Sequence, residues 1–443
     1  MVTRSVATCL AGLLSISPAR AAGESLTLRA AVDAALRHHP VLDRVTADSV
    51  AAAARVGRAR APGRPRIFAA GSFRDDHADP VDASDAKPVT FGNDAVYNLG
   101  LTIQQLVTDS GVTRNQIEGA EAAARQTRGQ IAVTRLDIEL AVVEAYLAVL
   151  QGRELSVVST GAIALVEQQL ARATALFRAT LRPEIDVLSA RTQLAQARLA
   201  RLRDDNNVAT AKALLQNAIG MREPEVGDVS AIAIAPLPDE GRPIRELAAL
   251  GLTQRAELAM ARDGVAAAEA RVRVGHGRNA PVVSVEAGVY ASGGRSEHAP
   301  PSTAWTPGAG GFASLSMSLD LYTGGATRYE IEDAQAQVRS ARAELERTEQ
   351  AIALSVSQAA LGVRISREAF ANATGWREQA ERQLQLAQAR YQSGVGNFVE
   401  LNDARTGLVN AQRQEVQARY DLANSRIALA RELGRSPAEL ATP

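Results

Sequence analysis

The stretch Leu319–Gln337, LDLYTGGATRYEIEDAQAQ, passes from alternating residues through a glycine pair into a helical pattern. A strand, a glycine turn and a helix start are also the ingredients of a phosphate-binding loop. Such a loop needs a longer glycine series, a following Lys-Ser/Thr and a βαβ setting, and the stretch has none of them. The same passage occurs earlier in the chain: LTIQQLVTDSGVTRNQIEGAEA (Leu101–Ala122) matches LSMSLDLYTGGATRYEIEDAQA (Leu315–Ala336). Gly325 follows Gly111 by 214 residues, and Gly434 follows Gly220 by the same interval. Upstream, ALRHHPVL aligns with GLTQRAEL, and Pro65 with Pro281, at an interval of 216. A self-match at a near-constant offset over most of a chain marks a duplicated unit, and this period is too long for a solenoid. Gly111, Gly324 and Gly325 then read as strand-to-helix corners, where glycine adopts backbone angles closed to other residues.

Working outward, the duplication divides the chain into a first repeat over 22–220, a Pro/Gly-rich linker over 221–242 and a second repeat over 243–443. Residues 1–21 read as a secretory signal, with Arg4 in the n-region, an apolar run from Ser5 to Ser17 and Ala19-Arg20-Ala21 as the cleavage site. Each repeat carries a helix (26–61; 244–275), two strands around a polar loop (77–93; 292–310), a long helix, a break and a last helix. Val283, Val285, Ala287 and Val289 alternate with polar or small residues, as do Ala313, Leu315, Met317, Leu319 and Leu321. In the first repeat Ala95, Tyr97, Leu99, Leu101 and Ile103 do the same, and 67–74 follows the rule loosely. Period-two alternation over about ten residues is the mark of a membrane-barrel strand, with one face to lipid and one to water.

The long helices show a seam that steps by three and four. It runs through Ile117, Ala120, Ala124, Thr127, Ile131, Thr134, Ile138 and Ala141, and through Ile331, Ala334, Val338, Ala341, Leu345, Thr348 and Ile352. That period predicts left-handed coiled-coil packing, and the alanines allow close helix approach. A helix from Val112 to Phe177 would be ~100 Å long at 1.5 Å per residue. Four strands cannot close a barrel, and open edges are not viable in lipid. The chain therefore has to oligomerise so that neighbours complete the wall.

The totals exclude other classes. With 49 basic and 49 acidic side chains, the formal net charge is +0 and gives no electrostatic footprint for nucleic acid. The single cysteine, Cys9, lies in the expected signal, so disulfides and cysteine metal sites are ruled out. After the signal no run of 18 apolar residues remains, so no spanning helix is expected. His38 and His39 are adjacent, point about 100° apart on a helix and make no chelate; with Pro40 next, they read as a capped helix end. Trp305 suits a loop near the interface belt, and Trp376 a helix surface or core. No Ser/His/Asp arrangement, metal-ligand cluster or cofactor loop is present, so neither catalysis nor a cofactor is expected.

This arrangement resembles the TolC-type outer-membrane channels, the exit ducts of tripartite efflux pumps and type I secretion systems. The duplicated corner carries the resemblance, with ARYQSGVGNFVELNDARTGLVNAQ (Ala389–Gln412) and its counterpart ALFRATLRPEIDVLSARTQLAQAR. It implies a mostly α chain whose long coiled-coil-like helices form an α-barrel tunnel, with four strands per chain entering a trimeric twelve-stranded β-barrel in the outer membrane. It implies as partners a periplasmic adaptor (membrane fusion protein), an inner-membrane transporter of RND, ABC or MFS type, and outer-membrane lipid. Gly394, Gly396 and Pro183 break the helices at the hairpin turns, and the resemblance makes these tips the gate and the adaptor contact. Glu400 and Asp403 share a helix face and fall where similar channels carry acidic residues around a constricted entrance. Three copies would place six carboxylates about one axis and favour cations; the plain alternative is a solvated acidic pair at a helix start. Asp186 is the first-repeat match of Glu400 and by the resemblance a third candidate for the acidic aperture. Tyr391 matches a family tyrosine that helps hold the entrance closed, or it packs between helices; Gly396 stands where some members have arginine. A periplasmic coiled-coil adaptor or scaffold without a pore is the competing reading, and it leaves the two matched strand pairs unexplained.

Overall fold

In the computed structural model the described residues are 25–76, 94–221, 227–296 and 306–442. The expected signal, the 77–93 loop and Trp305 lie outside them. The element order is α1 (Leu28–His38), α2 (Pro40–Arg60), β1 (Arg66–Asp76), β2 (Asp94–Thr108), α3 (Val112–Arg178) and α4 (Glu184–Ile219), then a short strand β3 (Ala233–Ile234). The series repeats as α5 (Ile244–Gln254), α6 (Ala256–Gly277), β4 (Val282–Ser296), β5 (Thr306–Ser318), α7 (Ala326–Gln392) and α8 (Phe398–Glu432), and β6 (Ala441–Thr442) pairs back on β3.

The first helix of each repeat is two helices, where the pattern read as one. Pro40 has no N–H and drives His39 to extended angles, and the His39 ring accepts a hydrogen bond from the Val41 N–H at 3.3 Å, capping α2. In the second repeat Arg255 takes the same extended conformation without a proline. Its guanidinium, 9% exposed, bonds to Glu257, Glu432 and Ser355 and anchors the break by tertiary contact.

At the strand-to-helix corners the chain turns on Gly111 and Gly325, with φ of 89° and 88°. Both stand at the N-cap of a 67-residue helix, α3 or α7. Ser110, where the second repeat has Gly324, also has a positive φ and donates its hydroxyl to the Pro281 carbonyl at 3.1 Å.

The predicted seam is visible in the burial. Along α7, Ile331, Ala334, Val338, Ala341, Leu345, Thr348 and Ile352 are buried or half-buried, and most residues between them are exposed. In α3 the seam holds to Ile138 and then fails, since Ala141 is exposed and Val142 and Val143 are buried. Here α1 and the C-terminal turn close over α3, and a core of Leu28, Val32, Val142, Tyr146, Leu215 and Ile427 replaces the two-helix seam. The Tyr146 hydroxyl, within this core, lies 2.8 Å from the Leu26 carbonyl and 2.7 Å from that of Ser230.

The helices line up in four columns. Near the sheet α2 packs on α3, α3 on α6 and α6 on α7; toward the far end α4 packs on α3, α3 on α8 and α8 on α7. The outer columns are therefore α2 with α4 on one flank and α7 on the other. The sheet repeats this order as β1-β2-β4-β5, antiparallel throughout, with β1 and β5 as its edges. Ile67, Leu99, Leu101, Ile103, Val285, Val289, Leu315 and Met317 share one face of it and are each 40–71% exposed. A contiguous uncovered apolar face of this kind is an interaction surface.

Strand ends differ from the alternation in two places. β5 stops at Ser318, short of Leu319 and Leu321, because its partner β4 begins at Val282, opposite Ser318. In the other direction β4 and β5 run into what read as loop. The glycines there lie under aromatic rings: Gly293 faces Tyr97 and Gly310 faces Tyr290. A Cβ at either glycine would come within 2.7 Å of the tyrosine. Glycine in these strands gives an aromatic side chain its seat.

Candidate aperture at the hairpin tips

The far end of the molecule consists of two helical hairpins, α3–α4 and α7–α8. Small residues let the second close tightly, with Ala380, Leu384 and Ala387 packed on Leu401, Ala404, Leu408 and Ala411. Its turn uses Gly394 at φ 78°, and the Gly396 N–H donates to the Arg390 carbonyl at 2.8 Å. A Cβ on Gly396 would lie 3.0 Å from the Arg390 carbonyl carbon, a tight contact with backbone that favours glycine there. Asn397 caps α8 by accepting the Glu400 N–H at 2.7 Å.

The first hairpin turns at Thr180, which holds φ 60° at the position 214 residues before Gly394. Pro183, extended, is the N-cap of α4.

The predicted residues fall into two groups. Glu400 and Asp403 lie on successive turns of α8. Glu400 accepts from Arg390 Nε at 2.8 Å, and Asp403 is exposed. Asp186 is 8% exposed and turned into the protomer. Tyr391 is half-buried, with Phe398 edge-on at 6.4 Å and the Arg182 guanidinium 5.0 Å from its ring centre. Burial, and then the charge of Asp186, push the Tyr391 phenol up, and Arg182 pulls it back. The glycine at 396 is thus accompanied by an arginine from the other hairpin. Arg182 precedes Gly396 by 214 residues, so the self-match contained the signal that would have found it.

Sequence reasoning missed a polar tie higher in the hairpins. Asp204, 2% exposed, accepts from both terminal nitrogens of Arg413 at 2.7 and 3.0 Å and from the Ser159 hydroxyl. Burial alone would raise the Asp204 pKa; the hydrogen bonds from Arg413 and Ser159, with the charges of Arg413 and Arg201, more than reverse that and hold it below 3.8. Among the described residues no cluster of three or more His, Cys, Asp or Glu could hold a metal ion, and no helix is long and apolar enough to cross a membrane.

The family model for outer membrane efflux proteins matches residues 31–221 and 247–435, one match in each repeat. The chain belongs to that family. It is 27% identical over 420 residues to protein CyaE of Bordetella pertussis, covering 93% of this chain and 85% of the relative. Its fold is similar to that of the outer membrane protein VceC of Vibrio cholerae, with a TM-score of 0.75 at 19% identity over 92% of this chain and 96% of VceC. A membrane protein of Pseudomonas aeruginosa aligns with a TM-score of 0.77 at 20% identity, over 92% of this chain and 93% of that one. The channel therefore sits in the outer membrane by its strands, with a long helical extension into the periplasm. It is an exit channel of the tripartite efflux or type I secretion kind, conducting substrates passively to the exterior.

Proposed function

We propose that three copies close one duct and that the hairpin tips form its periplasmic aperture. The observation that carries this is the coincidence of edges. β1, α2 and α4 form one flank of the chain, and β5 and α7 form the other. A heterologous contact between unlike flanks, repeated by rotation, closes a ring. Three copies then supply twelve strands, and no unpaired edge is left in lipid. The uncovered stripe from Ile67 to Met317 becomes the lipid-facing band. Glu400 and Asp403 are the residues proposed to line the aperture. Tyr391, with Asp186 and Arg182 beside it, ties the two hairpins together at the same level, and the tips around Pro183, Gly394 and Gly396 receive a periplasmic adaptor. The adaptor links the channel to an inner-membrane transporter of RND, ABC or MFS type.

Cysteines at Ala69 on β1 and Leu315 on β5, joined by a short bifunctional reagent, test the edge contact. Cross-linked dimers and trimers and nothing larger are the expected products, and either cysteine alone gives monomer. A ladder extending past trimer, or none at all, refutes the closed ring of three.

A further inference from the structure

We propose that the cleft between the two hairpins, just inside their tips, binds a small oxyanion of the phosphate or carboxylate class. The cleft measures about 920 Å³. Arg172 and Arg182 line it from the first hairpin and Arg405 from α8, together with Gln168, Gln388 and Tyr391. Among the described residues, no carboxylate lines it.

Arg405 carries the argument. It is 6% exposed and donates from Nη2 to the Gln169 side chain at 2.8 Å. Among the described residues its Nε and Nη1 find no acceptor, and the buried Tyr391 hydroxyl on the same cleft finds no partner either. A guanidinium has five donors and does not give up its proton. Buried with a single hydrogen bond it is strongly disfavoured, unless an opposite charge joins it.

The acidic groups around it are placed elsewhere. Glu400 is held by Arg390. Asp186 reaches Tyr391 only through its field. Asp204, on a second cleft of about 520 Å³ that Arg405 also borders, is held by Arg413 and Ser159. The other charges on its cleft are cations, Arg172 and Arg182, and burial, then the charge of Arg172, lower the Arg405 pKa.

An oxyanion would meet this need. Two oxygens match the planar fork of a guanidinium, and the negative charge relieves the repulsion between Arg405 and Arg172. One ligand held by both guanidinium groups bridges α3 and α8. The inference concerns the hairpins alone and does not depend on the ring or on the substrate conducted.

Equilibrium dialysis of the purified full-length channel against radiolabelled inorganic phosphate, at fixed ionic strength set with chloride, tests it. One saturable site per chain is expected. Arg405→Gln and Arg172→Gln should each weaken it by about tenfold, the value of one charged hydrogen bond. Arg172 is exposed, so its variant folds whether or not Arg405→Gln does. Arg191→Gln, also exposed and away from the cleft, should bind as the unaltered protein does. Non-saturable uptake, or an affinity equal in all variants, would be general attraction to cationic protein and would overturn the site.

Discussion

Thr180 and Gly394 do the same work with unequal fitness. A β-branched residue at positive φ is strained by about 1–2 kcal/mol relative to glycine. Thr180→Gly is therefore expected to stabilise the first hairpin by about 1 kcal/mol after allowance for glycine's greater freedom when unfolded. Gly394→Thr should destabilise the second by a similar amount, and slower or faster hydrogen exchange at the turns reads the sign directly. Asp204 gives a pH-dependent case. Its folded pKa is depressed, so its contribution is present above 3.8 and disappears as pH falls through the lower folded value. Asp204→Asn should cost about 2–3 kcal/mol at neutral pH, below the ~3–5 kcal/mol for breaking a fully buried pair because Arg413 is partly exposed. The variant's stability should also fall less than the parent's as pH is lowered below the ordinary carboxylate range, as followed by circular dichroism. An unchanged acid profile would remove Asp204 from the pH response.

At the level of elements, the exposed sheet face decides the fate of the protein. Leu101, on β2, lies in the middle of the apolar band, opposite Ala69 and Val289. Leu101→Arg should cost about 2–4 kcal/mol if this position is near the bilayer midplane. Its expected sign is loss of the protein from outer-membrane fractions, while Thr102→Arg on the opposite face is tolerated. Equal tolerance of both would mean that the stripe does not face lipid. The helix seams were legible because a heptad buried against one neighbour leaves a pattern, as Ile331 to Ile352 does. The seam was lost beyond Ile138 because α3 there packs against several elements at once, and periodicity records only one buried face. Glycines 293 and 310 misled for a related reason, since their use depends on tyrosines across the ladder and not on their neighbours in the chain.

The whole molecule has the shape of a wall segment with two unlike flanks. If three such segments close, Glu400 and Asp403 contribute six carboxylates to the aperture, and charge rings of this kind set ion preference. Replacing both with alanine should lower cation preference in single-channel recordings. Because Glu400 also restrains Arg390, Glu400→Ala alone should act more strongly than its single charge suggests, by exposing a free cation. Selectivity unchanged in the double variant would move the constriction elsewhere. For Asp186, buried in the protomer, Asp186→Asn is expected to leave ion preference nearly unaltered and to loosen the tip around Tyr391, seen as faster exchange there.

By itself the sequence determined the duplication, the strand–corner–helix order and the need for partners. These follow from local rules: period two for a two-faced strand, period three-and-four for a helix seam, and glycine where φ is positive. The tertiary structure decided what depends on residues far apart in the chain. It paired Arg255 with Glu432 to break a helix without proline, set Arg182 over Tyr391, turned Asp186 inward while its match Glu400 stayed outside, and left Arg405 buried with one bond. Periodicity tells which face of an element is buried; only the assembled helices show which charge that face meets.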